Sequence, residues 1–409
     1  MKKRIAVLLA AAMMASMTAG CAGSGQEAKA TAAGTEAAGG QAGESGAQAE
    51  TDSGNTPIRI GVAAPITGNS AEYGKGFQVA AQMAAEAVNA AGGVKGRPIE
   101  MVVKDSKGDA KESADVARIF CEEEDIVAVI GDFSSSSCMA SAPIYQEKGL
   151  VQISPSASHP DFAKMGDYMF GVVGRQDDEG PFMAKYMAKK YIGASSVGVI
   201  FMNNDWGVVT SENFKQACEE SGVTVTATES FIEGEKDFNA VISKVRQTDP
   251  DALCLITQYN EAAIISKQVK QAGWDVQIMG AGAMYSDQLI QLGGADVEGL
   301  IAESPFIIEE SDPKAMEFAT EFEKRAGFKP NIQAASAYDT AMLVADAIGR
   351  AAEVSRSAVR DALADTDNFM GITGPITFTE DGDVHRKYRV MAIQDGKWVA
   401  LTGYDYYDE

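Results

Sequence analysis

Histidine is nearly missing from this chain. Only His159 and His385 occur among 409 residues. Neither stands in an H-E-x-x-H or Cys/His spacing, which argues against His-based triads and His-ligated metal centres. Basic residues are also outnumbered: 35 Lys and Arg face 58 Asp and Glu, a formal net charge of −23. Phosphate binding needs clustered cations, so nucleic acid does not fit as a partner. Docking on anionic lipid through a basic patch is disfavoured for the same reason. A solvated, soluble surface accounts for the charge.

Other signals are absent too. "YGKG" (73–76) and "GAGA" (280–283) contain fragments of a dinucleotide loop, but neither completes G-x-G-x-x-G. There is no G-x-x-x-x-G-K-[ST] phosphate loop and no G-x-S-x-G nucleophile elbow. No cofactor is expected, and the chain reads as a binding protein and not as an enzyme. No C-x-x-C occurs. Cys121, Cys138, Cys218 and Cys254 lie in patterned segments and read as buried free thiols. A Cys121–Cys138 bridge is the alternative. Past the first 20 residues no run is long and apolar enough to span a membrane.

The N-terminus, "MKKRIAVLLAAAMMASMTAGC", has a basic start, an apolar core and small residues before Cys21. This is the pattern of a secretory signal over 1–20, with a core too short for a spanning helix. Residues 22–56 lack Leu, Ile, Val and aromatics. Such a stretch cannot bury enough apolar surface to offset its ordering entropy, so 21–56 reads as a flexible tether.

The remainder is ordinary in composition, with 45% hydrophobic residues over the chain, and long enough for one large or two medium domains. Strand-like runs, "IRIGVAAP" (58–65), "IEMVVKD" (99–105), "IVAVIG" (126–131), "LVQIS" (150–154), "SVGVIF" (196–201), "VTVTATES" (223–230), "ALCLIT" (252–257), "VQIMG" (276–280) and "EGLIAES" (298–304), alternate with helical patterns such as 76–93, 113–124 and 211–222. This alternation predicts parallel sheets covered by helices on both faces. It breaks at "FGVVGRQDDEG" (170–180) and again at "ESPFIIEESDPK" (303–314), and 372–401 reads as strand-rich with turns at "EDGD" and "QDGK". The fold class that follows is α/β: two doubly wound lobes joined by several chain crossings, with a cleft at the carboxyl ends of the strands.

The ordered set "IRIGVAAPITGNSAEYGKGF", "NAAGGVKGRPIEMVVKDSKGD", "VIGDFSSSS", "LVQISPSAS", "NDWG", "GEKDFNAVISKV", "PKAMEFATEFEKRAGFKPN", "ASAYDTAMLVADAI" and "GPITFTEDGD" resembles the type 1 periplasmic binding proteins. Within them it is similar to the branched-chain amino acid (Leu/Ile/Val) binding proteins of ABC importers, over essentially 57–401. "TAGC" resembles a lipobox, which implies lipidation of Cys21 and a membrane-anchored, extracytoplasmic protein; Thr18 departs from the usual Leu. The resemblance implies a Venus-flytrap protein that closes by hinge motion on a small carboxylate-bearing solute and offers it to an ABC permease. Lobe 1 is expected over 57–174 and 305–376, and lobe 2 over 175–304 and 377–409. A ligand-sensing domain in signalling is the alternative use of the same fold.

The resemblance also assigns site residues. Ser135 stands where the family holds the ligand carboxylate, with Ser136 beside it. A helix N-terminus with small hydroxyls suits an anion on physical grounds as well, although one serine of the run should merely cap the helix. Ser156 and Ser158 match a backbone carbonyl and a hydroxyl ligand. Tyr73, Trp206 and Tyr259 match cleft aromatics. Gly282 stands where amino acid binders carry the acid that pairs with the ligand ammonium, and 279–285 contains no acid. A buried ammonium without an anion is costly. Either Asp132 or Asp205 substitutes, or the ligand has no α-ammonium.

Overall fold

The computed structural model describes residues 56–308 and 312–402. The expected signal (1–20), Cys21 and the expected tether up to residue 55 lie outside the described residues. β1 (Ile58–Ala64), β2 (Ile99–Asp105), β3 (Ile126–Ile130), β4 (Val151–Ser154) and β5 (Met169–Gly171) form a parallel sheet in the order β2-β1-β3-β4-β5. β1 and β3 are almost wholly buried, as apolar runs must be when helices cover both faces. α1 (Ala71–Ala90), α2 (Ala110–Glu122) and α3 (Ser135–Glu147) follow the first three strands.

The second sheet contains β6 (Ser196–Met202), β7 (Thr224–Phe231), β8 (Ala252–Ile256), β9 (Gln277–Gly280) and β10 (Ile301–Ser304). Its helices are α4 (Gln176–Phe182), which runs on as a π-helical stretch Met183–Ile192, then α5 (Asp205–Glu220), α6 (Asn239–Arg246), α7 (Tyr259–Gln271) and α8 (Asp287–Gly293). The chain then returns to the first sheet through α9 (Pro313–Ala326), α10 (Ile332–Arg350) and α11 (Arg356–Ala364), and α10 packs along α1. A short hairpin, β11 (Phe369–Gly371) and β12 (Gly374–Ile376), precedes the final crossing. β13 (Arg389–Gln394) and β14 (Lys397–Ala400) then join the second sheet antiparallel at its edge, giving the order β14-β13-β10-β9-β8-β6-β7.

The alternating pattern therefore becomes two parallel-sheet lobes, and the pattern breaks at 170–180 and 303–314 are where the chain changes sheet. One buried guanidinium ties two of the crossings together. Arg386 donates to Val172 O at 2.7 Å, and to Thr373 O and Pro375 O at 3.3 Å each. The D-G turn signal at 395–396 is a tight hairpin with both residues at positive φ (51° and 68°), as a two-residue hairpin turn of this kind demands. The strand-rich reading of 372–401 is too broad, because 377–388 forms no strand. β5 is missing from the sequence reading because three residues carry no periodicity.

Candidate functional site

The loops after the strands of both sheets meet at a cleft with an empty volume of about 660 Å³, its open mouth included. One wall comes from the first lobe. Gly131 ends β3 at a φ of 122°, and a Cβ there would lie 2.0 Å from Ala63 O, so only glycine lets the chain turn this tightly against β1. The turn delivers Asp132, Phe133 and the serine run to the cleft end of the sheet.

The four serines divide the work. Ser134 is the N-cap of α3: its hydroxyl accepts the Ser137 N–H at 3.1 Å, and its carbonyl takes the Cys138 N–H. The N–H groups of Ser135 and Ser136, at the first two helical positions, have no partner within the helix. Ser134 and Ser135 line the cleft; the half-buried Ser136 does not. Ser156 and Ser158, after β4, also line it. They sit on a turn organised by Ser154, whose hydroxyl accepts the N–H groups of Ser156 (3.2 Å) and Ala157 (2.8 Å).

Asp132 and Asp205 are the candidates to face a ligand ammonium, and the structure places Asp132 beneath the cleft wall. It is 1% exposed and absent from the cleft lining. Its carboxylate accepts from Ser106 Oγ (2.9 Å), Ser113 Oγ (2.6 Å) and its neighbour's N–H on Phe133 (2.6 Å). With those donors it anchors the loop beneath α3. Asp205 is exposed in the first turn of α5 and likewise does not line the cleft.

Two of the three aromatics stand one layer behind the surface. Tyr73 is 1% exposed and stacks on Phe133 with ring centroids 4.3 Å apart. It is Phe133 that lines the cleft. The Tyr73 hydroxyl crosses between lobes and donates to Ala283 O at 2.9 Å. Tyr259 packs 5.4 Å from Tyr73 and hydrogen-bonds Glu72. Neither tyrosine lines the cleft. Trp206 does, near the start of α5, where Gln176 Nε2 holds its carbonyl at 2.7 Å.

Gly282 lines the cleft, and an acid reaches its position from another strand. Glu303, at the end of β10, reaches into the space that a side chain at 282 would fill: a Cβ on Gly282 would lie 2.2 Å from Glu303 Oε1. The Gly282 N–H donates to that oxygen at 2.5 Å. Glu179, from α4, stands beside it, so two carboxyl groups line this wall, 6% and 2% exposed for Glu179 and Glu303. Burial raises both, Glu303 well above the usual carboxylate range, and Glu303 is raised further by Glu179. The Trp206 and Thr210 side chains and the Gly282 N–H favour the charged form of Glu179.

These acids are not visible within 279–285, because they arrive from α4 and β10. A signal was present: "LIAES" places a Glu inside an otherwise apolar strand end, where a charge needs a reason. The rest of the lining is mostly apolar, including Val173, Pro305, Ile332 and Tyr388, with Asn204, Gln258 and Gln333 as further polar groups. Gln333 Oε1 is buried without a donor among the described residues.

A family model described as periplasmic binding protein matches residues 57–397. The chain belongs to the periplasmic binding protein family. Among its relatives is the leucine-, isoleucine-, valine-, threonine- and alanine-binding protein of Pseudomonas aeruginosa, 30% identical over 328 residues, 80% of this chain and 87% of that protein. The branched-chain amino acid transporter substrate binding protein LivJ of Streptococcus pneumoniae, solved in complex with isoleucine, is 28% identical with a TM-score of 0.78. That match covers 85% of this chain and all of the other. A putative branched-chain amino acid ABC transporter protein from Rhodospirillum rubrum is 35% identical with a TM-score of 0.65, covering 84% of this chain and all of the other. The fold of these type 1 periplasmic binding proteins is the fold described above, and their homologous role is solute binding for ABC transporters.

Proposed function

We propose that this periplasmic binding protein captures an α-amino acid with a small apolar side chain, as the zwitterion, and delivers it to an ABC importer. One observation carries the reading: the cleft walls have opposite polarity. The first lobe presents the α3 N-terminus with Ser135, and the Ser156 and Ser158 hydroxyls. The second presents Glu179 and Glu303. A helix N-terminus offers N–H donors and partial positive charge to a carboxylate, while buried acids suit an ammonium. Phe133, Val173, Ile332 and Trp206 supply apolar surface for an aliphatic side chain. The names of the relatives point the same way.

Thermal-shift screening with Leu, Ile, Val, Ala and Thr, set against their deaminated acids and their amides, tests this. Stabilisation by the amino acids alone supports the zwitterion. Equal stabilisation by deaminated acids contradicts it. The proposal includes export through the 1–20 signal and anchoring by lipid on Cys21. Mass spectrometry of the mature N-terminus tests that part: a lipidated Cys21 is expected, and an unmodified N-terminus at another residue contradicts it.

A further inference from the structure

We propose that Glu179 and Glu303 hold one proton between them at neutral pH, with Glu303 as the acid and Glu179 as the carboxylate, so that the cleft offers its ligand one negative charge and not two. This rests on the amino acid reading above, and it defines the ligand class more narrowly: a solute with a single positive charge at this end.

The geometry carries the argument. Both groups are more than nine-tenths buried on one wall of the cleft, close enough for each to shift the other's titration. Glu303 Oε1 already accepts the Gly282 N–H. Its other oxygen, Oε2, has no N–H or O–H donor among the described residues. A charged Glu303 would leave that oxygen buried and unpartnered beside a second anion, which is costly. A proton on Oε2 turns it into a donor towards Glu179. The opposite assignment fits less well, because the Trp206 and Thr210 side chains on α5 favour the charged form of Glu179, whereas only the Gly282 N–H favours that of Glu303. Like-charged carboxylates in contact do not both ionise readily.

Among the described residues, no cation is a chief influence on either glutamate. Burial, Glu179 and the Gly282 N–H account for the state of Glu303. The Cys254 thiol on β8 faces Glu179 and is itself pushed well up, so it stays neutral. On α4, the Asp178 carboxylate is taken by His385 at 2.6 Å, and Arg175, just before the helix, by Asp177. Tyr388 adds a neutral phenol to the cleft wall. A ligand ammonium is then met by one charge of opposite sign. Two ionised glutamates would leave a net buried anion in the complex.

The test is an asymmetry between isosteric variants. Glu303→Gln keeps a neutral donor towards Glu179, and weakens binding of L-leucine only a few-fold. Glu179→Gln removes the charge and weakens it by at least about 30-fold, as loss of a buried charge partner does. Equal losses, or the reverse order, overturn the assignment. Infrared spectroscopy of the ligand-free protein decides the proton itself. The wild-type minus Glu303→Gln difference spectrum near neutral pH should contain the carbonyl stretch of a protonated carboxylic acid. Its absence overturns the shared proton. If no amino acid in the panel binds, the functional reading fails, and the infrared result still decides whether the pair shares a proton.

Discussion

Tyr73→Phe isolates a hydrogen bond that exists only while the lobes are together. The Tyr73 hydroxyl on α1 donates across the cleft to Ala283 O at 2.9 Å, next to the Gly282 N–H that holds Glu303. Phenylalanine keeps the ring stacked on Phe133 and removes one buried donor. A neutral buried hydrogen bond is worth about 0.5–1.5 kcal/mol. Opening the cleft separates its partners, so the loss falls on the closed, ligand-holding form. At about 1.4 kcal/mol per tenfold, affinity should weaken about 2- to 12-fold. Titration calorimetry with L-leucine reads this directly, and the melting temperature of the ligand-free protein should change little. Unchanged affinity would refute the hydroxyl's role as a latch between lobes. A loss beyond about 100-fold would also refute it, because that size belongs to a hydrogen bond made to the charged ligand itself.

Ser135→Ala should weaken L-leucine binding about 10- to 100-fold, the worth of a hydrogen bond to a charged group, with little loss of stability; calorimetry and thermal melting separate the two. Asp132→Ala should act on folding, since it strands three buried donors from Ser106, Ser113 and Phe133. A loss of at least about 2 kcal/mol in denaturant unfolding is expected. Glu72 makes closure sensitive to pH. Burial raises its carboxyl to about 7, against hydrogen bonds from Tyr259 and Ser286 across the cleft. The closed form thus binds this proton more tightly than the open form, where the group returns towards its usual value. Closure is favoured below pH 7 and weakens as pH rises through about 7. Glu72→Gln should remove that fall in L-leucine affinity; an unchanged pH profile would count against the assignment.

The lobes were legible because buried parallel strands need unbroken apolar runs, and those of β1 and β3 survive in the sequence as they stand in the sheet. The start of α1 at Ala71 was not, since Gly74 and Gly76 mask its first turns. In the cleft, the serine run was readable because capping and anion binding both need hydroxyls at a helix start. The acid wall was not readable by position. A carboxylate missing from the 282 backbone arrives from Glu303, on the neighbouring strand β10, and two groups distant in sequence fill one space only once β9 and β10 pair. Tyr73 and Tyr259 illustrate the converse. Their place in the chain is near the cleft, but Phe133 stands between Tyr73 and the lining.

A crystal structure of the protein with L-leucine tests the central claim most directly. The ligand carboxylate is expected at Ser135 on the α3 N-terminus, and its ammonium at hydrogen-bond distance, about 3 Å, from Glu179 and Glu303. A ligand lying the other way round, or an ammonium that meets neither glutamate, would contradict it.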